Sequence, residues 1–229
     1  VVCTLAVAMG AAVTVFSITD AWLFRPLPFP HADRLTVAFA ATPARPTEPA
    51  VWMPYRAYLV FSRSARSFSS IAGAAFQQVT WRRGSDAKSV VGMRVTPEFF
   101  STFGVRALRG RTLEAAEAGD SPAVVLGHGF WQPELGGDGA VVGSAVTLSD
   151  IPHTVVGVMP VDFDVRLLDQ PEGAAFWTLL RTGERGYEPG GIGPLAIVGR
   201  LNDRVTIDTA RAELAALMHE SESAYAVNF

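Results

Sequence analysis

A long apolar run opens the chain, beginning at Val1 and reaching Leu23. Its first charged residue is Asp20, and the first basic residue, Arg25, lies just beyond it. A helix of about 20 residues is long enough to cross the roughly 30 Å hydrocarbon core of a membrane. Helix is also the conformation in which a single segment satisfies its own backbone hydrogen bonds in lipid. The sequence therefore predicts a transmembrane helix over residues 1–24.

Small and hydroxylated side chains recur within this run every three or four residues, which places them on one face of a helix. Such a face lets a neighbouring transmembrane helix approach closely. The predicted packing face consists of Cys3, Ala6, Gly10, Thr14, Ser17 and Ala21. A buried core helix and a cleaved signal peptide are the alternatives. A core helix usually carries charges on its solvent side, and this run has none before Asp20.

Prolines mark the end of the apolar run and prevent the helix from continuing. They occupy every second position in the segment Arg25-Pro26-Leu27-Pro28-Phe29-Pro30. Because proline lacks an amide hydrogen and restricts the residue before it, we expect this segment to be extended. It should form a stiff joint between the membrane helix and a folded domain that covers residues 31–229. The predicted joint residues are Arg25, Pro26, Pro28 and Pro30.

The composition of the remaining chain is that of a folded domain without a nucleic-acid site. Charged residues make up 18% of the 229 residues, and the formal net charge is −3, which gives no basic footprint for nucleic acid. The single cysteine, Cys3, excludes an intrachain disulfide and any zinc site built from cysteines. No cofactor is predicted.

Segments with strand and helix periodicity alternate after the joint, which predicts an α+β (mixed α/β) domain with a mixed sheet and short helices. The pattern leaves open a division into two lobes. Strands are predicted at residues 34–39, 68–76, 78–81, 88–95, 123–126, 145–148, 153–158, 175–180 and 194–201. Helices are predicted from Pro54, from a Thr96 cap, and at residues 128–135 and 206–219. The last helix has Ile207, Ala210, Leu214, Leu217 and Met218 on its apolar face. Residues 40–53 are proline-rich and predicted as a loop, and residues 149–152 as a turn.

Residue types that carry catalysis or bind metals are scattered along the chain. The histidines are His31, His128, His153 and His219, and no two have the spacing of metal ligands. The string around Gly127 has the shape of a nucleophile elbow, but His128 stands where a serine would be needed. Glycine-rich residues 136–139 and 190–193 lack the pattern of a nucleotide loop. The acidic group of Glu114, Glu117 and Asp120 is interpreted as a solvated surface.

Several strings follow one another in an order that is specific when they are taken together. They include FSITDAWLFRPLPFP at residues 16–30, VTPEFFSTFGV at 95–105, VVLGHGFW at 124–131 and TVVGVMP at 154–160. In series they resemble the first transmembrane helix and the periplasmic core domain of MacB-like ABC transporter permeases, within the FtsX-like permease superfamily. That family usually has serine where Gly127 stands.

The resemblance implies a non-catalytic permease domain on the periplasmic side of a bacterial inner membrane, and a chain that is a fragment of the permease. Such a permease would contact lipid, contain further transmembrane helices, pair with a second copy and be driven by a separate cytoplasmic ABC ATPase. The domain would couple helix movement to export or efflux of a substrate, which the sequence does not identify. One alternative is a membrane-anchored extracytoplasmic binding or sensor domain. Another is an anchored hydrolase that uses His128.

Overall fold

A computed structural model of the chain describes residues 29–38, 40–42, 45–50, 52–83, 86–115, 122–163 and 173–226. The predicted membrane helix, its packing face and the joint residues Arg25, Pro26 and Pro28 lie outside the described residues. Within these described ranges, no helix is both long enough and apolar enough to cross a membrane.

A mixed β-sheet forms the centre of the domain, and β2 and β3 form a separate pair. In chain order, the strands of the described residues are β1 (Leu35–Ala38), β2 (Ala40–Thr42), β3 (Arg45–Ala50), β4 (Trp52–Pro54), β5 (Phe68–Arg83), β6 (Asp86–Val95), β7 (Arg109–Gly110), β8 (Ala123–Leu126), β9 (Ala145–Leu148), β10 (Ile151–Val158), β11 (Phe176–Leu179) and β12 (Pro194–Leu201). The order across the sheet is β1-β12-β5-β6-β11-β8-β10-β7, with β4 beside β12 and β9 beside both β10 and β5. The pairs β6–β11 and β8–β10 are parallel and the others are antiparallel, which confirms the predicted mixed sheet.

Four α-helices are present in the described part of the chain: α1 (Tyr55–Ser64), α2 (Phe99–Phe103), α3 (His128–Leu135) and α4 (Ile207–Ala226). Helix α2 ends at Gly104, whose φ of 70° is readily adopted only without a side chain. It begins at Phe99, so the predicted Thr96 cap is wrong. Thr96 Oγ1 instead accepts a hydrogen bond of 3.1 Å from the Gly73 amide on β5.

Other sequence predictions differ from the structure where local signals mislead. The loop predicted over residues 40–53 is wrong, because β2 and β3 pair there and β4 joins the main sheet. The pair β2–β3 is a two-stranded sheet, in which every strand has a free edge and proline is tolerated. Residues 68–76 and 78–81 belong to one strand, β5. The turn before β10 contains two residues rather than four, Ser149 and Asp150, with φ angles of 48° and 65°.

The two faces of the sheet carry different layers, because successive side chains of a strand point to opposite sides. On one side, which we call the aromatic face, Ala72, Met93 and Trp177 pack with α2 in a single apolar cluster. The opposite side, which we call the helix face, carries two separate clusters. One lies under α1 and α4 and includes Ile71, and the other lies under α3 and β9 and includes Trp81. Ile207, predicted in the apolar face of α4, is 54% exposed. A division into two lobes stays a prediction.

Candidate coupling site

The first described residues, 29–34, which we call the lead-in segment, connect the predicted joint to the aromatic face of the sheet. Phe29 is only 6% exposed and belongs to the same apolar cluster as α2. Its ring meets the ring of Phe103 edge-on at a centroid distance of 5.1 Å and that of Phe163 at 5.9 Å. Phe163 in turn lies 5.4 Å from Trp177 on β11. The side chain of Phe29 therefore anchors the start of the lead-in segment in the domain core.

Two arginines tie the lead-in segment to the rest of the domain after Phe29. Arg200 on β12 donates from Nη1 to the His31 carbonyl at 3.1 Å and from Nε to the Thr102 carbonyl on α2 at 2.8 Å. Arg34 donates from Nε and Nη2 to the Leu201 carbonyl at 2.9 and 2.5 Å. It also forms an ion pair of 2.5 Å with Asp203. Each guanidinium thus ties the lead-in segment to β12 or α2.

Strand β1 continues this attachment, since it follows the lead-in segment directly. It pairs with β12 in antiparallel register from Leu35 opposite Arg200 to Ala38 opposite Ile197. The Thr36 hydroxyl adds a bond of 3.3 Å to the Gly199 carbonyl. The lead-in segment and β1 therefore bind the same end of β12.

Helix α4 is fixed near that end as well. The Glu213 carboxylate accepts from the backbone amides of Arg66 at 2.7 Å and Ser67 at 2.9 Å. Asn202, which follows β12, binds the same two residues through bonds of 2.7 Å to the Arg66 carbonyl and 2.9 Å to the Ser67 carbonyl. Burial opposes ionisation of Glu213, but these hydrogen bonds and the charge of Arg66 outweigh it and lower its pKa.

We call these residues the coupling site: the lead-in segment, residues 200–203 and the Glu213 contacts. Of the four predicted joint residues only Pro30 is described, and it lies exposed beside Gly104. Phe29 and the two arginines are site residues that the sequence did not predict. Phe29 is distinguishable in the sequence only as the aromatic residue between two prolines. The arginines carry no sequence signal, because Arg34 and its partner Leu201 are 167 residues apart.

The histidines considered as catalytic candidates lie on separate elements. His31 belongs to the lead-in segment and has a left-handed φ of 50°. His128 is half-buried at the start of α3 and packs edge-on against Trp131 at 5.5 Å. His153 lies on β10 and His219 on α4. No group of three or more metal-ligating side chains occurs among the residues that the structure describes. Glu114 is exposed, whereas residues 117 and 120 lie outside the described residues.

The fold is that of the extracytoplasmic domains of ABC-type transporters. The extracellular domain of the noncanonic ABC-type transporter YknZ from Gram-positive bacteria is 12% identical, with a TM-score of 0.57 over 82% of this chain and 93% of that chain. The periplasmic region of MacB from Actinobacillus actinomycetemcomitans is 13% identical, with a TM-score of 0.59 over 82% and 84%. A domain described as part of a permease from Porphyromonas gingivalis is 15% identical, with a TM-score of 0.60 over 84% and 83%.

The family of MacB-like periplasmic core domains matches residues 1–217, and the chain belongs to this family. It is an extracytoplasmic domain of the transporter-permease type, a class that is generally non-catalytic. A search of curated protein sequences found no significant match.

Proposed function

We propose that this domain transmits the movement of a membrane helix to the export of a substrate in a bacterial ABC transporter permease. In this proposal, residues 1–24 form a transmembrane helix in the inner membrane, surrounded by lipid and packed through its small-residue face against the remaining helices of the permease. The domain lies on the periplasmic side. A cytoplasmic ATPase supplies the energy, and a second copy of the permease completes the transporter.

The observation that carries the proposal is the insertion into the core of Phe29, which lies within the proline joint between Pro28 and Pro30. Withdrawing a buried phenylalanine costs about 3–5 kcal/mol, judged from truncation to alanine. Each hydrogen bond from a charged guanidinium adds about 1.5–3 kcal/mol. A pull on the lead-in segment would therefore move the domain before it detached the segment. A flexible tether would absorb the same movement.

The position of the attachment supports the same function. The lead-in segment and β1 are attached to a strand of the central sheet and not to a loop. That strand is β12, which lies between β1 and β5. Strand β5 pairs with β12 from Phe68 to Ala74 and continues to Arg83 along β6. A displacement of the lead-in segment would thus be passed to a continuous hydrogen-bonded layer, in which strands move together.

The test is a flexible insertion in the joint of the complete permease, reconstituted with its ATPase. A Gly-Ser-Gly-Ser insertion between Arg25 and Pro26 should leave ATP hydrolysis active while export falls sharply. The matched control carries the same insertion after Gly136. This glycine is exposed, has nothing within 4 Å of its Cβ position, and lies far along the chain from the joint.

Export should survive the control insertion, because the turn around Gly136 does not connect the domain to the predicted membrane helix. Normal export with the joint insertion would contradict the proposal. It would favour the alternative, a binding or sensor domain for which the helix is only a tether.

A further inference from the structure

The helix face of the sheet contains a cleft of about 460 Å³ between its two apolar clusters. One wall is the β9–β10 hairpin, with Leu148 and Ile151, and the other is the segment after β11, with Arg181 and Glu184. Clefts of this size are typical of sites that enclose a small organic molecule. The role proposed for the lead-in segment makes no use of this cleft, since that segment packs on the aromatic face.

The floor of the cleft is polar although it lies in the middle of the sheet. It is formed by Gln77 on β5, Arg94 on β6 and Thr178 on β11. Arg94 is directly opposite Thr178 in the parallel pair of β6 and β11. The Gln77 amide donates to the Thr178 hydroxyl at 2.8 Å. A polar floor between two apolar clusters costs stability unless something satisfies it, so these three residues call for an explanation.

Arg94 is held rigidly in this floor. Its Nη1 donates to Glu184 Oε2 at 2.6 Å, and its guanidinium carbon lies 4.9 Å from the centre of the Tyr187 ring. Glu184 is itself fixed, because its other oxygen accepts from the Arg181 amide at 3.2 Å. One buried donor of this guanidinium has no partner: Arg94 Nε makes no hydrogen bond to the described residues. The floor of the cleft therefore contains a polar group whose hydrogen bond is not made.

The charge of the cleft favours an anion. Two guanidinium groups, of Arg94 and Arg181, and one carboxylate, of Glu184, line it, so its net charge is positive. His153 adds little to this charge near pH 7, since burial, and to a lesser degree Arg181, lower its pKa. The apolar lining of the cleft includes Val79 on β5 together with Leu148 and Ile151 of the hairpin wall.

We infer that this cleft binds a small carboxylate with an apolar body. The carboxylate accepts from the guanidinium of Arg94 on the floor, and the apolar body lies against the wall formed by the hairpin. Arginine suits this task because its planar group binds carboxylates with defined geometry. The amide of Gln77 lies beside the bound carboxylate.

The cleft can be tested with two carboxylates, 4-phenylbutyrate and N-acetylleucine, and with 4-phenylbutanol as the uncharged control. Binding is measured by equilibrium dialysis against the full chain in lipid nanodiscs, after subtraction of the uptake by empty nanodiscs. We expect saturable binding of one equivalent of carboxylate per chain at up to about 1 mM, and at least about tenfold weaker binding of the alcohol.

A matched pair of variants places the same negative charge on the two sides of β5. Gln77→Glu puts it on the cleft floor, where repulsion should weaken carboxylate binding by roughly tenfold or more. Gln78→Glu puts it on the opposite side of the strand, where the Gln78 side chain is exposed and donates a hydrogen bond to Ser89 on β6. This variant should change carboxylate binding by less than about twofold. A third variant, Ile151→Trp, enlarges an exposed side chain of the wall and should obstruct the cleft without disturbing the core.

Equal binding by the Gln77→Glu and Gln78→Glu variants would overturn the inference, as would equal binding of acid and alcohol. Failure of both carboxylates to saturate the unaltered chain would overturn it as well. Circular dichroism and thermal unfolding of each variant separate loss of binding from loss of fold. These outcomes are independent of the joint insertion, whose readout is export.

Discussion

Replacing Phe29 with alanine gives the sharpest test of how the lead-in segment is attached. The side chain is 6% exposed and packs edge-on against two rings, at 5.1 and 5.9 Å. Phenylalanine to alanine changes in cores cost about 3–5 kcal/mol, and each aromatic pair contributes about 0.5–1.5 kcal/mol of this. Phe29 is 6% exposed, whereas Phe99 and Phe103 in the same cluster have no exposed surface, so Phe29 lies at the margin of the cluster. We therefore expect Phe29→Ala to cost about 3 kcal/mol, the lower limit of this range.

This loss of free energy should appear as local opening of the lead-in segment, because Phe29 attaches that segment to an apolar cluster whose other members come from the rest of the domain. Hydrogen exchange measured by mass spectrometry on the full chain in nanodiscs can detect it. The Arg34 amide, which donates to the His31 carbonyl at 3.0 Å, should lose roughly a hundredfold in protection. Peptides from β6 and β11 should change by less than about twofold and serve as the internal reference.

Phe29→Leu is the control, since it keeps most of the apolar volume and should cost no more than about 1.5 kcal/mol. If Phe29→Ala leaves exchange of the lead-in segment within about twofold of the unaltered chain, the segment is not held by this ring. The reasoning behind the stiff joint then fails. Faster exchange throughout the sheet would also contradict it, because Phe29 would then be a general core residue.

Two further predictions concern the sheet and the last helix. Gly92→Ala should lower the melting temperature strongly, because a Cβ there would overlap the Phe176 ring, whereas Gly129→Ala, with open space around it, should leave the temperature unchanged or raise it. Glu213 has a lowered pKa, so its contribution is complete above its unfolded-state pKa and is lost as the pH falls through the folded-state value. Urea unfolding measured from pH 7 downward should therefore show two effects of Glu213→Gln. The variant should lose about 1 kcal/mol of unfolding free energy at pH 7, and below about pH 5 its unfolding free energy should fall less steeply than that of the unaltered chain.

The parts of the fold that the sequence predicted well are those with strong local signals. The predicted bounds of β8 and α3 match the structure. An uninterrupted apolar run defines the strand, which is buried throughout. Glycines limit the helix on both sides, and Gly136 ends it with a φ of 66°. Gly127 is also explained, because a Cβ there would lie 2.6 Å from the Ala174 carbonyl oxygen. A serine at this position would therefore clash with that carbonyl.

The failures arise where tertiary pairing overrides local preference. The prolines of residues 40–53 favour a loop, but an isolated strand pair leaves edges on which a missing amide costs little. The polar residue Gln77 suggests a break in β5 between residues 76 and 78. Its backbone is instead held by the continuous ladder with β6, in which it faces Gly92. Gln77 lies on the floor of the cleft, so the error lay where a functional site would interrupt an apolar pattern.

The arginine contacts of the coupling site were beyond the reach of sequence reasoning for a different reason. Arg200 is a single basic residue in an apolar strand, and its two acceptors are backbone carbonyls, which every residue possesses. Only the folded arrangement brings His31 and Thr102 to the same guanidinium. Sequence patterns predict which residues are buried, but they do not predict which distant carbonyl a long side chain will reach.

Alternation along β6 explains why the two proposals concern separate sites on one sheet. Met93 and Val95 are buried in the aromatic cluster that also receives Phe29, whereas Arg94 between them lines the cleft on the helix face. A ligand held by Arg94 therefore binds a strand whose other side belongs to the same apolar cluster as Phe29. Each site can be altered without touching the other, because substitutions at Phe29 and Gln77 point to opposite layers. The chain could hold a ligand and still fail to transmit movement, or transmit movement with an empty cleft.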